Sequence, residues 1–478
     1  MVVQHNMQAM NANRMLNVTT SAQSKSTEKL SSGYKINRAA DDAAGLTISE
    51  KMRKQIRGLD QASTNAQDGV SSVQTAEGAL TEVHSMLQRM NELATQAANG
   101  TNSKDSDRQA IQDEIDQLTT EIDRVSETTK FNETYLLKGE AGTKTINMKA
   151  HDAGLKGTLT DNGDGTATFV MDTLNAGDKV SIGGKSYTIG SDDAEVDKWF
   201  TDNAADVKAA AGGKITINGT EYKYYAAITK DDANDKGAVE AGFYATQPSA
   251  PDGKGNTVKA DFADIDALKT AVKKGATAQN GTKSVTGMND TATPKDGVSD
   301  TDATVISKKK AYELASKELL KANQIGDTEN SAKVGVGTAA TPVSLTNGTG
   351  TFQIQTGSAK VANSLAFSLH VGADADMTNK IQVNIDAMDS ASLGIKGLNV
   401  KDDSGNAATY AVDAISDAIS KVSSQRSSLG AVQNRLEHTI NNLDNVVENT
   451  TTAESRIRDT DMAEEMVNYS KNNILAQA

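Results

Sequence analysis

A long amphipathic repeat decides the fold, and it occupies residues 52–97, which read MRKQIRGLDQASTNAQDGVSSVQTAEGALTEVHSMLQRMNELATQA. One heptad position in this stretch holds apolar residues at steps of seven, namely Met52, Leu59, Ala66, Val73, Leu80, Leu87 and Ala94. A second apolar line runs beside it through Ile56 and Val70, then shifts to Ala76, Val83, Met90 and Ala97. Two such lines predict a long helix that buries a single stripe.

Two other stretches show the same periodicity. After a short polar break at residues 99–102, Ser106 and Gln109 are spaced as a capping box, and the helix that follows presents Ile111, Ile115, Leu118, Ile122 and Val125. Near the carboxyl end, one heptad position holds Ile415, Val422, Leu429, Leu436, Leu443, Thr450 and Ile457. Because an isolated amphipathic helix is marginal in water, we expect the three stripes to pack together.

The fold class that follows is α+β, with a long antiparallel α-helical coiled-coil bundle formed by both chain ends and a β-rich outer region inserted between them. All four prolines lie in the middle of the chain, so both termini lack the residue that most reliably breaks a helix. We predict that the bundle core contains Met52, Ile56, Leu59, Val73, Leu80, Leu87, Ile111, Ile115, Leu118, Ile122, Ile415, Val422, Leu429, Leu436 and Leu443.

The middle of the chain, residues 141–400, changes to alternation with period two, punctuated by Gly and Asn. This pattern predicts short antiparallel strands joined by tight turns. Residues 179–187 and 214–222 match type for type as hairpins with the turn at the same place, which indicates a duplicated module. Further elements are expected here, and they are helices at 263–274 and 303–323, a linker at 247–256 and a strand pair at 364–371 and 380–387.

The composition of the chain excludes several classes of function. Its 478 residues carry a formal net charge of −14, and the 49 Lys and Arg residues are scattered rather than clustered, which argues against nucleic acid as a partner. No apolar run approaches the length of a membrane span, so no membrane insertion is expected. The absence of Cys excludes disulfides, thiolate nucleophiles and Cys-ligated metal.

The polar residues lack the patterns that are typical of catalysis. The five histidines, at 5, 84, 151, 370 and 438, have no zinc-hydrolase spacing. Residues 161–165, DNGDG, have the composition of a calcium loop but lack its ligand spacing and closing Glu, so a hairpin turn is the favoured interpretation. Asp41 and Asp42 would point to different sides of a helix. We therefore expect a protein with no cofactor, no metal and no enzymatic activity.

The extreme ends of the chain carry sparser apolar stripes than the bundle. Residues 1–44 contain Val3, Met7, Met10 and Leu30, and residues 457–478 contain Met462, Met466, Tyr469, Ile474 and Leu475. Such segments are underfilled as a monomer core, and chain ends of this kind order when a partner supplies the missing surface. An ordinary helical bundle without a special role is the alternative that periodicity alone leaves open.

A family resemblance favours chain ends that order on a partner over an ordinary helical bundle. Residues 31–46, SSGYKINRAADDAAGL, closely resemble the amino-terminal signature of the bacterial flagellin family. The remainder of residues 1–138 is similar to that family, and so are residues 429–478, with RIRDTDMA at 456–463 and ILAQ at 474–477. The resemblance covers both ends of the chain, whereas the middle resembles no family that we can name.

The resemblance implies a specific layered architecture. Its segments are an inner coil with its amino-terminal part at 1–44, a helical bundle part at 45–140, a variable, solvent-facing β-rich region at 141–362, a second bundle part with a β-hairpin at 363–456, and the carboxyl-terminal part of the inner coil at 457–478. Family members usually continue for several helical turns beyond the position of Ala478. We therefore expect an inner coil that is truncated at its carboxyl-terminal part and has lost buried area.

The resemblance also implies function and partners. A flagellin is a structural subunit that polymerises with itself into the extracellular filament of the bacterial flagellum. It is exported by the flagellar type III system, bound by an export chaperone, folded beneath a filament cap and assembled next to hook-associated proteins. A hook–filament junction protein with related terminal helices is the alternative. A flagellin with an enzymatic insert is a second alternative, which the absence of paired metal ligands at 141–400 disfavours.

One helix segment resembles a receptor contact of the family. Residues 88–96, QRMNELATQ, are similar to the patch that Toll-like receptor 5 contacts, and the implied receptor-binding residues are Gln88, Arg89, Glu92, Leu93, Gln96 and Glu114. An Arg beside an apolar anchor and an acidic neighbour is also a physical profile of an interface hot spot. The alternative is a solvated or subunit-facing helix surface.

Overall fold

The computed structural model describes residues 6–103, 106–207, 213–234, 236–253, 255–335, 350–402 and 405–477. Val3, His5, Pro342 and Ala478 lie outside these residues. The described part of the chain contains one 3-10 turn at Met377–Asn379 and the helices α1 (Met7–Ser32), α2 (Ala43–Ala97), α3 (Asp107–Thr128), α4 (Asp193–Val207), α5 (Ile265–Lys273), α6 (Lys308–Asn323), α7 (Ser390–Leu393), α8 (Asn406–Arg458) and α9 (Met462–Gln477).

The strands lie between α3 and α7, and most of them are short. They are β1 (Lys130–Phe131), β2 (Thr134–Tyr135), β3 (Glu140–Asn147), β4 (Gly157–Asp161), β5 (Thr166–Met171), β6 (Lys179–Ile182), β7 (Lys185–Gly190), β8 (Lys214–Ile217), β9 (Thr220–Tyr225), β10 (Ala238–Val239), β11 (Gly242–Tyr244), β12 (Thr257–Val258), β13 (Thr277–Asn280), β14 (Lys283–Thr286), β15 (Val305–Ser307), β16 (Lys333–Gly335), β17 (Thr351–Gln355), β18 (Ser358–Asn363), β19 (Leu365–His370) and β20 (Lys380–Ile385).

Two helices from opposite ends of the chain form the long axis of the molecule. Ser63 Oγ donates a hydrogen bond to Asp444 Oδ1 at 3.0 Å, and Arg426 Nη2 lies 3.6 Å from Glu77 Oε1. Residue numbers therefore rise along α2 while they fall along α8, and the pair is antiparallel. α3 packs against α2 as the third helix. The predicted fold class, an antiparallel bundle of both chain ends with an inserted β-rich region, is confirmed.

The bundle core follows the heptad positions closely. The buried side chains among those predicted are Leu59, Val73, Leu80, Leu87, Ile111, Ile115, Ile122, Ile415, Val422, Leu429, Leu436 and Leu443. Met52, Ile56 and Leu118 are only half-buried. The 22 residues of α3 run back along α2 from Ala97 and end well short of Met52 and Ile56, so this end of the bundle has two helices instead of three.

The predicted capping box at the start of α3 is wrong. Ser106 is the N-cap residue, but it has helical dihedral angles (φ −116°, ψ −61°) and its side chain makes no capping hydrogen bond. Gln109 Nε2 donates forward to Asp113 instead of back to the cap. The start of α3 is held by Arg108, a buried guanidinium that donates to the carbonyl oxygens of Ala97 (2.9 Å), Asn99 (3.3 Å) and Asp402 (2.7 Å).

The inserted region contains the predicted hairpins, each in its own sheet. β6 and β7 turn at Gly183-Gly184, and β8 and β9 turn at Asn218-Gly219; these four residues have positive φ, as a two-residue hairpin turn requires. In the described part of the chain, the sheets with more than two strands have the strand orders β11-β9-β8-β13-β14, β15-β7-β6 and β16-β17-β5-β4. The helix predicted at 303–323 begins late, because residues 305–307 pair with β7 as β15 before α6 starts.

A strand pair and a buried tyrosine are among the features that join the inserted region to the bundle. β3 and β18 pair antiparallel from Asn147↔Ser358 to Glu140↔Asn363, so the chain leaves and returns along one ribbon. Tyr410, near the start of α8, is buried in the apolar core of the inserted region, where its hydroxyl donates to Glu318 Oε2 at 2.8 Å. Burial raises the pKa of Tyr410, and the adjacent Glu318 carboxylate raises it further, which keeps the phenol neutral.

Two glycines of α2 test how tightly the β19–β20 hairpin packs on the bundle. A methyl group at Gly69 would lie 2.2 Å from Leu369 Cδ1, whereas a methyl group at Gly78 would meet nothing within 4 Å. Gly78→Ala is expected to stabilise the protein by up to about 1 kcal/mol through helix propensity. Gly69→Ala is expected to destabilise the protein by on the order of 1 kcal/mol, because the cost of overpacking against Leu369 exceeds the gain in helix propensity. Urea unfolding followed by circular dichroism measures the free energy of unfolding of both variants. Equal stabilisation by the two substitutions would contradict the close packing of Leu369 on Gly69.

Candidate functional surfaces

The inner helices α1 and α9 leave large apolar side chains exposed. They pack against each other as an antiparallel pair, and Lys29 of α1 lies 3.7 Å from Glu465 of α9. Ser26 is the one buried side chain of α1, and α9 has none among its described residues. The exposed apolar side chains, which we call the end surface, are Met7, Met10, Met15, Leu16, Val18, Met462, Met466, Val467, Ile474 and Leu475.

The exposure of so many large apolar side chains makes the end surface a candidate interaction site. Its side chains range from 47% exposed at Leu16 to 75% exposed at Met7. Monomeric proteins rarely expose contiguous apolar patches of this kind. The sequence pattern identified six of these residues, Met7, Met10, Met462, Met466, Ile474 and Leu475. It missed Met15, Leu16, Val18 and Val467, because a stripe read at one helix face does not include apolar residues on the flanking faces.

The receptor patch predicted from the resemblance lies on neighbouring faces of α2 and α3. Arg89 Nε donates to Glu114 Oε1 at 2.9 Å, and Arg89 Nη1 donates to Glu92 Oε2 at 3.2 Å. The hydrogen bond to Glu114, followed by that to Glu92, raises the pKa of Arg89. Gln88 and Gln96 are exposed on the same helix. We call Gln88, Arg89, Glu92, Gln96 and Glu114 the Arg89 patch.

Leu93, which the resemblance implies as the apolar anchor of the receptor contact, does not belong to this exposed patch. The side chain is 2% exposed and lies in the bundle core with Met90 and Ile111. At this level α2 packs against both α3 and α8, and the buried stripe is therefore wider than a two-helix seam requires. Leu93 supports the patch from beneath and offers no surface to a partner.

The described residues contain no group of three or more His, Cys, Asp or Glu side chains that could hold a metal ion. His151 Nε2 lies 3.7 Å from Asp417 Oδ2, and Lys149 pairs with the same carboxylate. Residues 161–165 form the β4–β5 turn, as the sequence indicates, with Asp161 Oδ1 accepting from Gly163 N at 2.8 Å. Within the described residues, no helix is long and apolar enough to cross a membrane.

The two ends of the chain match known family models. Residues 3–142 match the bacterial flagellin N-terminal helical region, and residues 412–478 match the bacterial flagellin C-terminal helical region. The flagellin of Clostridium tyrobutyricum is 36% identical over 481 residues, which cover 100% of this chain and 96% of that protein. This chain belongs to the flagellin family. Flagellin C of Vibrio anguillarum is 34% identical and covers 100% of this chain and 94% of its own length.

Further relatives match the chain over its full length. The flagellin of Bacillus subtilis (strain 168) is 33% identical over 479 residues, with 100% of this chain and 93% of that protein covered. A solved structure of FliC from Burkholderia pseudomallei is 20% identical over 77% of this chain and 99% of that one, with a TM-score of 0.23, which is too low to bear on the fold. Flagellins are structural subunits of the bacterial flagellar filament.

A pair of substitutions separates the surface role of the Arg89 patch from the core role beneath it. Leu93→Ala is expected to lower the free energy of unfolding by about 2–5 kcal/mol, because it leaves a cavity in the bundle. Arg89→Ala removes only exposed ion pairs and is expected to leave the urea midpoint unchanged. Urea titration with circular dichroism measures both midpoints. A large decrease in the urea midpoint of Arg89→Ala would mean that the ion pairs of the Arg89 patch stabilise the fold.

Proposed function

We propose that this flagellin polymerises with copies of itself through the end surface to build the extracellular flagellar filament. The observation that supports the proposal is the exposure of large apolar side chains on both α1 and α9. Burial of apolar area contributes about 25 cal/mol per Å², so neighbouring copies that cover these side chains gain stability that the monomer lacks. Contacts between different faces of identical subunits generate open helical assemblies when the rotation from one subunit to the next does not close a ring.

The proposed arrangement places α1 and α9 innermost, the bundle around them and the inserted region outward. Separate apolar cores in the inserted region fit an outward domain that adds no buried contact to the inner coil. We further propose export through the flagellar type III system with a chaperone on the carboxyl segment, folding beneath the filament cap, and assembly next to hook-associated proteins. The family resemblance supports these steps, and a cysteine-free chain suits unfolded export because it forms no disulfides.

A charge placed on the end surface tests the polymerisation proposal. Val467→Asp is expected to reduce the elongation rate of filament seeds by about tenfold or more, because assembly would bury an unpaired carboxylate. Ile228→Asp is the matched control, since Ile228 is 46% exposed and lies in the inserted region, and it should elongate normally. Light scattering and electron microscopy follow growth.

The wild-type chain provides the decisive comparison for this experiment. If it fails to elongate seeds under all salt conditions, the filament proposal is contradicted and the hook–filament junction alternative is favoured. If Val467→Asp elongates as fast as the wild type, α9 does not lie at a subunit interface. Circular dichroism of each variant confirms that the bundle is folded.

We also propose that Toll-like receptor 5 binds the monomer at the Arg89 patch. The supporting observation is an exposed guanidinium that bridges acidic side chains of two helices, a planar donor group of the kind enriched at interface hot spots. The pairing with Glu114 and Glu92 holds Arg89 in one geometry before binding. Leu93 takes part only by packing beneath this surface.

A charge reversal tests the receptor proposal. Arg89→Asp is expected to weaken binding to the receptor ectodomain about tenfold or more, because a hot-spot side chain contributes about 2 kcal/mol or more. Arg124→Asp is the matched control, since Arg124 pairs with Glu121 on the solvent face of α3 with similar exposure. Surface plasmon resonance measures both affinities. Equal affinity of Arg89→Asp and wild-type protein would refute the assignment.

A further inference from the structure

A cavity of about 330 Å³ lies where the inserted region meets the bundle, and we call it the seam cavity. Ile146 and Met148, at the end of β3, line it from the inserted region, and Leu393 of α7 and Ala414 of α8 line it from the bundle. Its wall is mostly apolar. Sites for small molecules are concave and mostly apolar, with a few well-placed polar groups.

Lys421 of α8 supplies a cation to the wall of the seam cavity. Its side chain is partly buried, and Nζ donates to the carbonyl oxygen of Ser392 at 2.5 Å. Among the described residues this is the one hydrogen bond of an ammonium group that has three donors. Burial lowers the pKa of Lys421, and the negative charge of Asp386 opposes that shift. A poorly paired cation in an apolar wall favours an anion in the cavity.

The carboxylates nearest to Lys421 are engaged by other groups. Asp386 Oδ1 lies 3.3 Å from Lys144 Nζ. Asp389 is the N-cap residue of α7, and its Oδ1 accepts from the backbone N of Ser392 at 3.2 Å. In the described part of the chain, neither carboxylate makes a hydrogen bond to Lys421. Two of its donors are therefore available to a ligand.

Ser392 adds a second polar group that lacks a partner. Its side chain is 3% exposed, and within the described residues its Oγ has no hydrogen bond. A buried hydroxyl that is left unpaired costs free energy, and an anion that reaches Lys421 can also accept from this hydroxyl. Lys149 and Asp417, which also line the cavity, pair with each other at 2.8 Å. Lys421 is therefore the charge that no lining carboxylate compensates.

We propose that the seam cavity binds a monocarboxylate with a short aliphatic chain. The carboxylate accepts from Lys421 Nζ and from the Ser392 hydroxyl, and the chain packs against Met148 and Leu393. The cavity holds on the order of ten non-hydrogen atoms, since a water molecule occupies about 30 Å³ in the liquid. A charge-assisted hydrogen bond gives the anion its specificity. The site is independent of the proposed polymerisation.

Two other cavities lack this combination of groups. One of about 320 Å³ lies beside Tyr410, but its charged residues Glu318 and Lys321 pair with each other at 2.9 Å. Another of about 240 Å³ lies beside Phe131, where Asp68 is the one charged residue among the described residues that line it. An acidic side chain disfavours a carboxylate, so neither cavity offers an unpaired cation to an anionic ligand.

Calorimetric titration of the full-length protein with octanoate tests the proposal. We expect a Kd of about 1 mM or tighter for a ligand of this size. Octylammonium, which has the same chain with the opposite charge, should bind about tenfold more weakly or less. The net charge of the protein is −14, so non-specific binding would favour octylammonium instead. Equal affinities, or no binding of octanoate at about 10 mM, would overturn the proposal.

Three substitutions assign the binding to the seam cavity. Lys421→Met keeps an unbranched side chain but removes the cation, and should weaken octanoate binding about tenfold or more. Ser392→Ala should weaken it about threefold without loss of stability, because it removes an unpaired hydroxyl. Lys396→Met is the matched control, since Lys396 is exposed and does not line the cavity, and its affinity should equal that of the wild type.

The outcomes of these substitutions decide the assignment. Unchanged affinity in Lys421→Met would overturn the proposal, and so would equal weakening by Lys396→Met. Circular dichroism and urea midpoints establish that each variant is folded. If Lys421→Met does not fold, Ser392→Ala and the comparison of octanoate with octylammonium still decide between the two results.

Hydrogen exchange followed by mass spectrometry locates the bound octanoate. Slower amide exchange is expected at residues 146–151 and 390–396, because the ligand stabilises the conformation that it binds. The end surface is also apolar and could collect the aliphatic chain. Protection confined to α1 and α9 would therefore overturn the assignment to the seam cavity.

Discussion

The antiparallel packing of α2 against α8 is the interaction on which the rest of the structure depends. Each helix carries an apolar stripe that water disfavours, and neither has a partner within its own part of the sequence long enough to cover it. The hydrogen bond between Ser63 and Asp444 joins positions 381 residues apart. Contacts this distant in sequence form only after a long loop closes, so the helices gain most of their stability together with the tertiary fold.

The buried face of each bundle helix could be predicted from the sequence because a heptad repeat reports which side chains share one face. Leu80, Leu87, Val422 and Leu429 are fully buried for this reason. The same repeat says nothing about how many neighbours a helix has, so it did not show that Leu93 is buried between α2 and α3. Arg108 was unpredictable for a different reason, because its three carbonyl partners come from separate segments that only the folded chain brings together.

The Arg89 patch and the contact between Tyr34 and Arg458 differ in how far the sequence predicts them. The Arg89 patch was predicted through the family resemblance, which was legible because four of its five members lie within two and a half turns of one helix. The contact between Tyr34, which follows α1, and Arg458, at the end of α8, could not be predicted from the sequence. The two residues lie at opposite ends of the chain, and neither stands in a periodic pattern. Aromatic and guanidinium groups that meet across such distances carry no local signal, and only the bundle register places them side by side.

The β3–β18 ribbon has a consequence for how such a chain diversifies. Because the strands that leave and return to the bundle are paired from Glu140 to Asn363, the base of the insertion is closed whatever lies beyond it. The entropy of closing a loop on a fixed base grows only with the logarithm of its length. Mutation and recombination can therefore lengthen, shorten or replace the exterior of the subunit while the geometry presented to the bundle stays constant.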